Sequence, residues 1–212
     1  MESIIQQIYV NVLEGHHKDV NQKVKSALRQ GILPRTILND GMISAMAEVG
    51  RLFEAGEYYV PEMLVAARAM QSGLKVLKPY LQEVEVHPAG KVAIGTVQGD
   101  YHDIGKNLVI MMLEGAGFDV LDLGVDVAPE KFISAVQSGN VDIIAMSALI
   151  TTTMPSMRPV IKALEDLGLR RQVKIMVGGA PLTEEFAQHI GADGYAPDAS
   201  RAVTLAKTLL SK

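Results

Sequence analysis

Asp100 and His102 are two residues apart, and Gly105 follows three residues later, within Gly99-Asp-Tyr-His-Asp-Ile-Gly105. A histidine beside a carboxylate is equipped for two kinds of chemistry. It can act as a general base, or it can ligate a metal while the carboxylate orients its other ring nitrogen. A zinc site usually draws three protein ligands or more. No second histidine is nearby in the sequence, and the chain has no cysteine. A metal at His102 would therefore take most of its ligands from a cofactor. A macrocycle supplies four in its plane and leaves an axial position. The competing readings are plain: His102 as a surface loop residue and Asp100 as a helix cap.

Other residues extend this constellation. Ser147 is either a polar strand end or the next member of a relay from Asp100. The run Ser147-Ala-Leu-Ile-Thr-Thr-Thr153 offers several hydroxyls, and Gly178-Gly179 permits a tight turn and the close approach of a flat ligand. Gly105 would keep a first helical turn clear of whatever occupies the crevice. Gly95, Gly99 and Gly105 do not make the dinucleotide fingerprint, and no phosphate-loop lysine-serine pair is present. The nucleophile-elbow signature is missing too. Asp122, Asp126 and Asp142 read as strand ends or loop carboxylates.

The elements that position these residues have two different periods. Residues 1 to about 83 read as helices. Ile4, Ile5, Ile8, Val12 and Leu13 make one apolar stripe, and Val20, Val24, Ala27 and Leu28 a second. Pro34 opens a third helix whose stripe runs from Ile37 to Phe53, and Pro61 opens a fourth. Four amphipathic helices with short joints form a bundle. Gly41 and Gly50 inside the third helix mark either a close approach or tolerated glycine. Residues 83–90 read as a linker, with His87 an ordinary surface residue.

From Lys91 the pattern alternates strand and helix. Strands are expected at 91–97, 118–122, 141–147, 173–177 and 193–196, and helices at 105–116, 129–138, 156–168, 183–190 and 199–211. Apolar runs such as Val141-Asp-Ile-Ile-Ala-Met-Ser suit parallel strands covered on both faces. The expected fold is α/β, with a helical bundle over 1–88 and a doubly wound, flavodoxin-like sheet over 89–212. Strand order 2-1-3-4-5 would put the loop of Asp100 and His102 at the switch point, facing the end of strand 3 at Ser147.

The composition is that of a soluble globular protein, 48% hydrophobic and 21% charged. A net charge of -4 without a basic run gives no reason to expect a nucleic-acid partner. The chain shows no secretory signal and no apolar run of membrane-spanning length, so the cytoplasm is the default expectation. The 11 methionines read mostly as adaptable core filler.

Three motifs together resemble the signature of cobalamin-binding domains. Asp100-Tyr-His102-Asp-Ile-Gly105 is similar to the family's Asp-x-His-x-x-Gly, Ser147-Ala-Leu149 to its Ser-x-Leu, and Gly178-Gly179 to its paired glycines, each in the expected order. The stretch Val49-Gly-Arg-Leu-Phe53 through Val60-Pro-Glu-Met63 resembles the cap module of small methyl-carrying corrinoid proteins. The resemblance covers almost the whole chain. It points to the methylamine, methanol, betaine and methoxyaromatic methyltransferase systems, and extends to the cobalamin-binding region of methionine synthase.

That resemblance implies a cofactor pose. His102 would be the lower axial cobalt ligand, replacing the cofactor's own dimethylbenzimidazole. Asp100 would bond to His102, and Ser147 to Asp100. Asp103, Ile104 and Gly105 would adjoin the ring. Ser147, Leu149 and Thr151 would line the nucleotide tail, with Gly178 and Gly179 making room. Phe53 and Val60, with Met46, would be cap positions over the methyl face.

The implied function is a methyl carrier. A substrate:corrinoid methyltransferase would methylate cob(I)alamin. A second methyltransferase would pass the group from methylcob(III)alamin to tetrahydrofolate or coenzyme M, and a reductive activation protein would serve both. The carrier would be a subunit of a multicomponent methyltransferase rather than a complete enzyme. The alternatives are the cobalamin subunit of an adenosylcobalamin mutase, a cobalamin-dependent sensor, and a response-type α/β module without cobalamin.

Overall fold

The computed structural model describes residues 3–83, 88–139 and 141–211. Residues 84–87 of the expected linker, His87 included, lie outside the described residues. Two compact units divide the chain, Met1–His87 with Glu114–Gly117, and Pro88–Leu113 with Phe118–Lys212.

The first unit is helical. Helices α1 (Ile4–Leu13), α2 (His17–Arg29), α3 (Pro34–Thr36), α4 (Ser44–Glu54) and α5 (Val60–Glu83) follow one another in the chain. Ser3 caps α1 by accepting from the Gln6 amide at 3.2 Å. Pro34 opens α3, where its missing N–H costs nothing. The expected stripes are buried: Ile8 and Val12 on α1, Val20, Val24 and Ala27 on α2, Ala45, Met46, Val49 and Leu52 on α4, and Met63, Ala67, Met70 and Leu77 on α5.

The third expected helix differs in one respect. Its middle, Ile37–Ile43, is wound as a π-helix, closed by a bond from the Ser44 amide to the Asn39 carbonyl. Gly41 lies within it. A Cβ there would stand 3.1 Å from Ile8 Cγ2, so the glycine marks the close approach of α1.

The second unit is a five-stranded sheet: β1 (Lys91–Val97), β2 (Asp119–Val127), β3 (Ile143–Ser147), β4 (Lys174–Gly178) and β5 (Gly194–Ala196). Its order is β2-β1-β3-β4-β5, and every pairing is parallel. This is the expected order, with the switch point between β1 and β3. Helices α6 (Ile104–Gly115), α7 (Pro129–Gln137), α8 (Met157–Asp166), α9 (Glu184–Ile190) and α10 (Ala199–Leu210) connect or follow the strands. The core on one face joins β1, β3 and β4 to α7, α8 and α9 through Val97, Ile144, Val177, Phe132, Ile161 and Ala187.

β2 departs from expectation. It continues five residues past 122, to Val127. Its polar residues read as a stop, but pairing with β1 persists through two register shifts, Gly95 with Gly124 and Val97 with Val127. Positive φ at Gly124 (91°) and Asp126 (51°) accompanies this irregularity. Among the described residues, no helix is long and apolar enough to cross a membrane.

Candidate functional site

β1 ends at Val97 in the middle of the sheet, and its chain must turn before α6 can start. Gly99 makes that turn at φ 85°. The Asp100 amide then bonds back to the Val97 carbonyl at 3.1 Å. Asp100 is fully buried at the switch point. A buried carboxylate must be paired or hydrogen-bonded, and this one is. One oxygen accepts from the His102 amide at 3.1 Å and lies 2.8 Å from His102 Nδ1. The other accepts from the Leu149 amide at 2.8 Å and the Thr153 hydroxyl at 2.6 Å.

Burial pushes the Asp100 carboxyl up. The bonds from Thr153, Leu149 and His102 outweigh that push and hold it well below the usual carboxylate range. Asp100 is therefore an anion, and an anion only accepts. The bond to Nδ1 requires a proton on Nδ1, which leaves a lone pair on Nε2 when the ring is neutral. The His102 side chain is 53% exposed, and the Thr96 hydroxyl fixes its backbone by donating to the His102 carbonyl at 2.9 Å. The result is an oriented imidazole on an open face.

The Asp100–His102 pair expected from the sequence is thus present. The Ser147 link is corrected. Ser147 is a half-buried strand end paired with Thr96 and Gly178, and the hydroxyl that reaches Asp100 belongs to Thr153, six residues further on. The backbone after β3 must rise and turn before a side chain can point back into the crevice. Ser156 and Thr153 amides bonded to the Thr153 and Ile150 carbonyls make that turn, at 3.0 and 3.1 Å. The only advance signal for Thr153 was its place at the end of a hydroxyl-rich run.

The rest of the loop is open. Tyr101, His102, Asp103, Ile104 and Gly105 are all exposed, and a Cβ on Gly105 would meet nothing within 4 Å. Leu149 and Ile150 expose 44% and 41% of their surfaces and Ile104 80%, while Thr151 is exposed as well. An exposed nitrogen lone pair, with apolar side chains and a bare glycine exposed on the same loops, suits a flat, largely apolar cofactor that takes one ligand from the protein. The residues fit a corrinoid. Among the described residues, no group of three or more histidine, aspartate and glutamate side chains could hold a metal ion by itself.

The paired glycines lie close against backbone. A Cβ on Gly179, at φ 135°, would collide with the Ala148 carbonyl oxygen, and one on Gly178 would lie 3.0 Å from the Ala196 carbonyl. The space they leave is filled by backbone, which lets the turns after β3 and β4 lie against each other. In the helical unit, Phe53 is half-buried and Val60 exposed, while Met46 is 2% exposed.

Asp122, Asp126 and Asp142 hold backbone amides, a lysine and a tyrosine hydroxyl. Asp142 accepts from the Lys91 amide at 2.7 Å. Asp122 pairs with Lys106 at 2.8 Å, and Lys106 is itself buried at the start of α6. Asp126 accepts from the Gly99 amide at 2.7 Å and the Tyr101 hydroxyl at 2.8 Å.

Comparison with known proteins agrees with this geometry. A family model described as a B12 binding domain matches residues 90–204, and a second of the same description matches residues 4–78. The chain is 46% identical over 179 residues to dimethylamine corrinoid protein 1 of Methanosarcina acetivorans, covering 84% of each. It is 42% identical to dimethylamine corrinoid protein 3 of that organism, covering 99% of this chain and 98% of the relative. It is 44% identical to the trimethylamine corrinoid protein of Methanosarcina barkeri, covering 87% and 86%. Among solved structures, a chain of the methanol:cobalamin methyltransferase complex of M. barkeri superposes with a TM-score of 0.88 at 29% identity, covering 98% of this chain and 80% of that one. A cobalamin-binding protein of Desulfitobacterium hafniense superposes at 0.80 with 28% identity, covering 97% and 98%. An oriented, exposed imidazole at the switch point and relatedness along nearly the whole chain have one explanation: the protein belongs to the B12-binding corrinoid protein family.

Proposed function

We propose that this protein is the methyl carrier of a methylamine methyltransferase system, with His102 as the axial ligand of its corrinoid. The observation that carries this reading is the His102 imidazole, bonded through Nδ1 to a buried anion and open at Nε2. A bound corrinoid supplies a cobalt centre able to take up and give up a methyl group. The chain supplies the rest. His102 would hold it through Nε2, since Nδ1 faces Asp100. Asp100 holds the proton at Nδ1 and makes the ring a stronger donor. Thr153 and the Leu149 amide keep Asp100 ionised and in place. Ile104, Leu149 and Ile150 shield one side from water, and Gly105 leaves space.

The donor class follows from the relatives, which are named for dimethylamine and trimethylamine. A methylamine:corrinoid methyltransferase is the partner on the donor side. A second methyltransferase, acting on coenzyme M or tetrahydrofolate, is the partner on the acceptor side, with a reductive activation protein beside them. The setting is cytoplasmic. Similarity to a dimethylamine corrinoid protein from end to end supports the carrier over the mutase subunit or the sensor.

The test is an absorption spectrum after reconstitution with hydroxocobalamin. Stoichiometric uptake is expected, with a spectrum that changes when His102→Ala is introduced. Uptake with an identical spectrum in the variant would remove His102 as ligand, and no uptake would remove the corrinoid reading.

A further inference from the structure

We propose that Asp126 is a positioning residue for His102, clamping the histidine loop from the bulged end of β2. This rests on the reading of His102 as the corrinoid ligand. Three bonds join Asp126 to three successive residues of the loop. Its carboxylate accepts from the Gly99 amide at 2.7 Å and from the Tyr101 hydroxyl at 2.8 Å. Its own amide donates to the Asp100 carbonyl at 2.9 Å. Asp100, whose side chain orients the imidazole, is thus bracketed on both sides and held from the neighbouring strand.

The backbone of Asp126 supports the assignment. Its φ of 51° lies in the left-handed region, and it is the one non-glycine in that region among the described residues. That conformation is strained for an L-residue, and such strain persists where the surroundings over-determine it. Aspartate tolerates the conformation better than most side chains. β2 reaches position 126 only by running four residues past its expected end, in a stretch with two register shifts. The irregularity delivers one carboxylate to the one loop that carries the ligand. The Gly99 and Tyr101 bonds hold that carboxyl below the ordinary range, so it is an anion accepting from two neutral donors, the stronger kind of hydrogen bond.

A mispositioned imidazole still folds and still accepts solvent, but it coordinates less completely. The experiment uses the full chain as Asp126→Asn, Tyr101→Phe and a control, Asp119→Asn. Asparagine tolerates the left-handed backbone and keeps one acceptor of two. Tyr101→Phe removes only a hydroxyl from a ring that is 70% exposed. Asp119 is a carboxylate of the same strand that pairs with Lys91 instead, at 3.3 Å. Two quantities are read: amide hydrogen exchange at Gly99–His102 in the cofactor-free protein, and the histidine-coordinated fraction in the absorption spectrum after loading with hydroxocobalamin.

Asp126→Asn is expected to speed exchange at least tenfold and to lower the coordinated fraction by a third or more. Tyr101→Phe should do the same about threefold less strongly, and Asp119→Asn should match the unsubstituted protein. Unchanged exchange and spectrum in Asp126→Asn overturn the proposal. Faster exchange with an unchanged spectrum overturns it too, because the clamp would then hold the loop without positioning the ligand. If Asp126→Asn fails to fold, Tyr101→Phe decides by the same two readings. Failure of the parent reading is recognised separately, as a spectrum of the unsubstituted protein that His102→Ala leaves unchanged.

Discussion

Asp100 and Thr153 illustrate how a buried charge is kept at a useful place. Taking a carboxylate out of water is costly unless donors replace the water, and here the Thr153 hydroxyl, the Leu149 amide and two groups of His102 replace it. Thr153→Val removes one donor from a charged, buried acceptor. It is expected to cost about 1–3 kcal/mol in urea unfolding, while Thr153→Ser restores most of the loss. The same site sets a pH dependence. The folded Asp100 carboxyl lies below its unfolded value, so its contribution is complete above the ordinary aspartate pKa of about 3.9 and fades as pH falls through that value toward the folded one. Unfolding free energy should therefore drop more steeply between about pH 5 and pH 3 in the unsubstituted protein than in Asp100→Asn, measured by denaturant titration across that range.

At the scale of elements, two glycines of the site have opposite duties, and one substitution at each tells them apart. Gly179 sits at the turn after β4 with the Ala148 backbone where a Cβ would go. Gly179→Ala combines a strained φ with a clash against backbone, and about 2–5 kcal/mol of destabilisation is expected. Gly105, the second residue of α6, faces open space. Gly105→Ala should leave the thermal midpoint of the cofactor-free protein equal or slightly raised, since alanine favours helix by about 1 kcal/mol. It should weaken corrinoid uptake, because the added methyl occupies the face where the proposed cofactor lies. Paired melting curves and uptake titrations check both. The β2 strand and the π-helical turn make a related point. Both carry local irregularities, and each serves a contact with another element, Asp126 with the histidine loop and Gly41 with α1.

For the whole molecule, the unit that carries the ligand offers an open imidazole, and the methyl donor must be chosen by the protein that docks there. The proposed choice is among methylamines, the class for which the relatives are named. With a dimethylamine or trimethylamine methyltransferase and its substrate, the corrinoid-loaded protein should be methylated at least tenfold faster than with a methanol methyltransferase and methanol. Spectral conversion of the reduced carrier measures this, and equal rates would remove the methylamine assignment.

The sequence by itself determined the class of fold and the residues that first suggest chemistry. Helical and strand periods are local properties of burial, so they could be read without coordinates, whereas the strand order is a matter of which strands pair and came with the tertiary structure. Asp100 and His102 are two residues apart and meet within one turn, which made their pairing legible too. The tertiary structure alone decided which hydroxyl completes the cluster. The sequence pointed to Ser147, but the turn after β3 aims Thr153 at Asp100. The tertiary structure likewise decided that Gly179 yields to Ala148 and that Asp126 reaches the histidine loop, because those partners are dozens of residues distant and are brought together by strand pairing. Contacts across a crossover depend on where two chain segments stop and turn, and that is set by packing, not by local pattern.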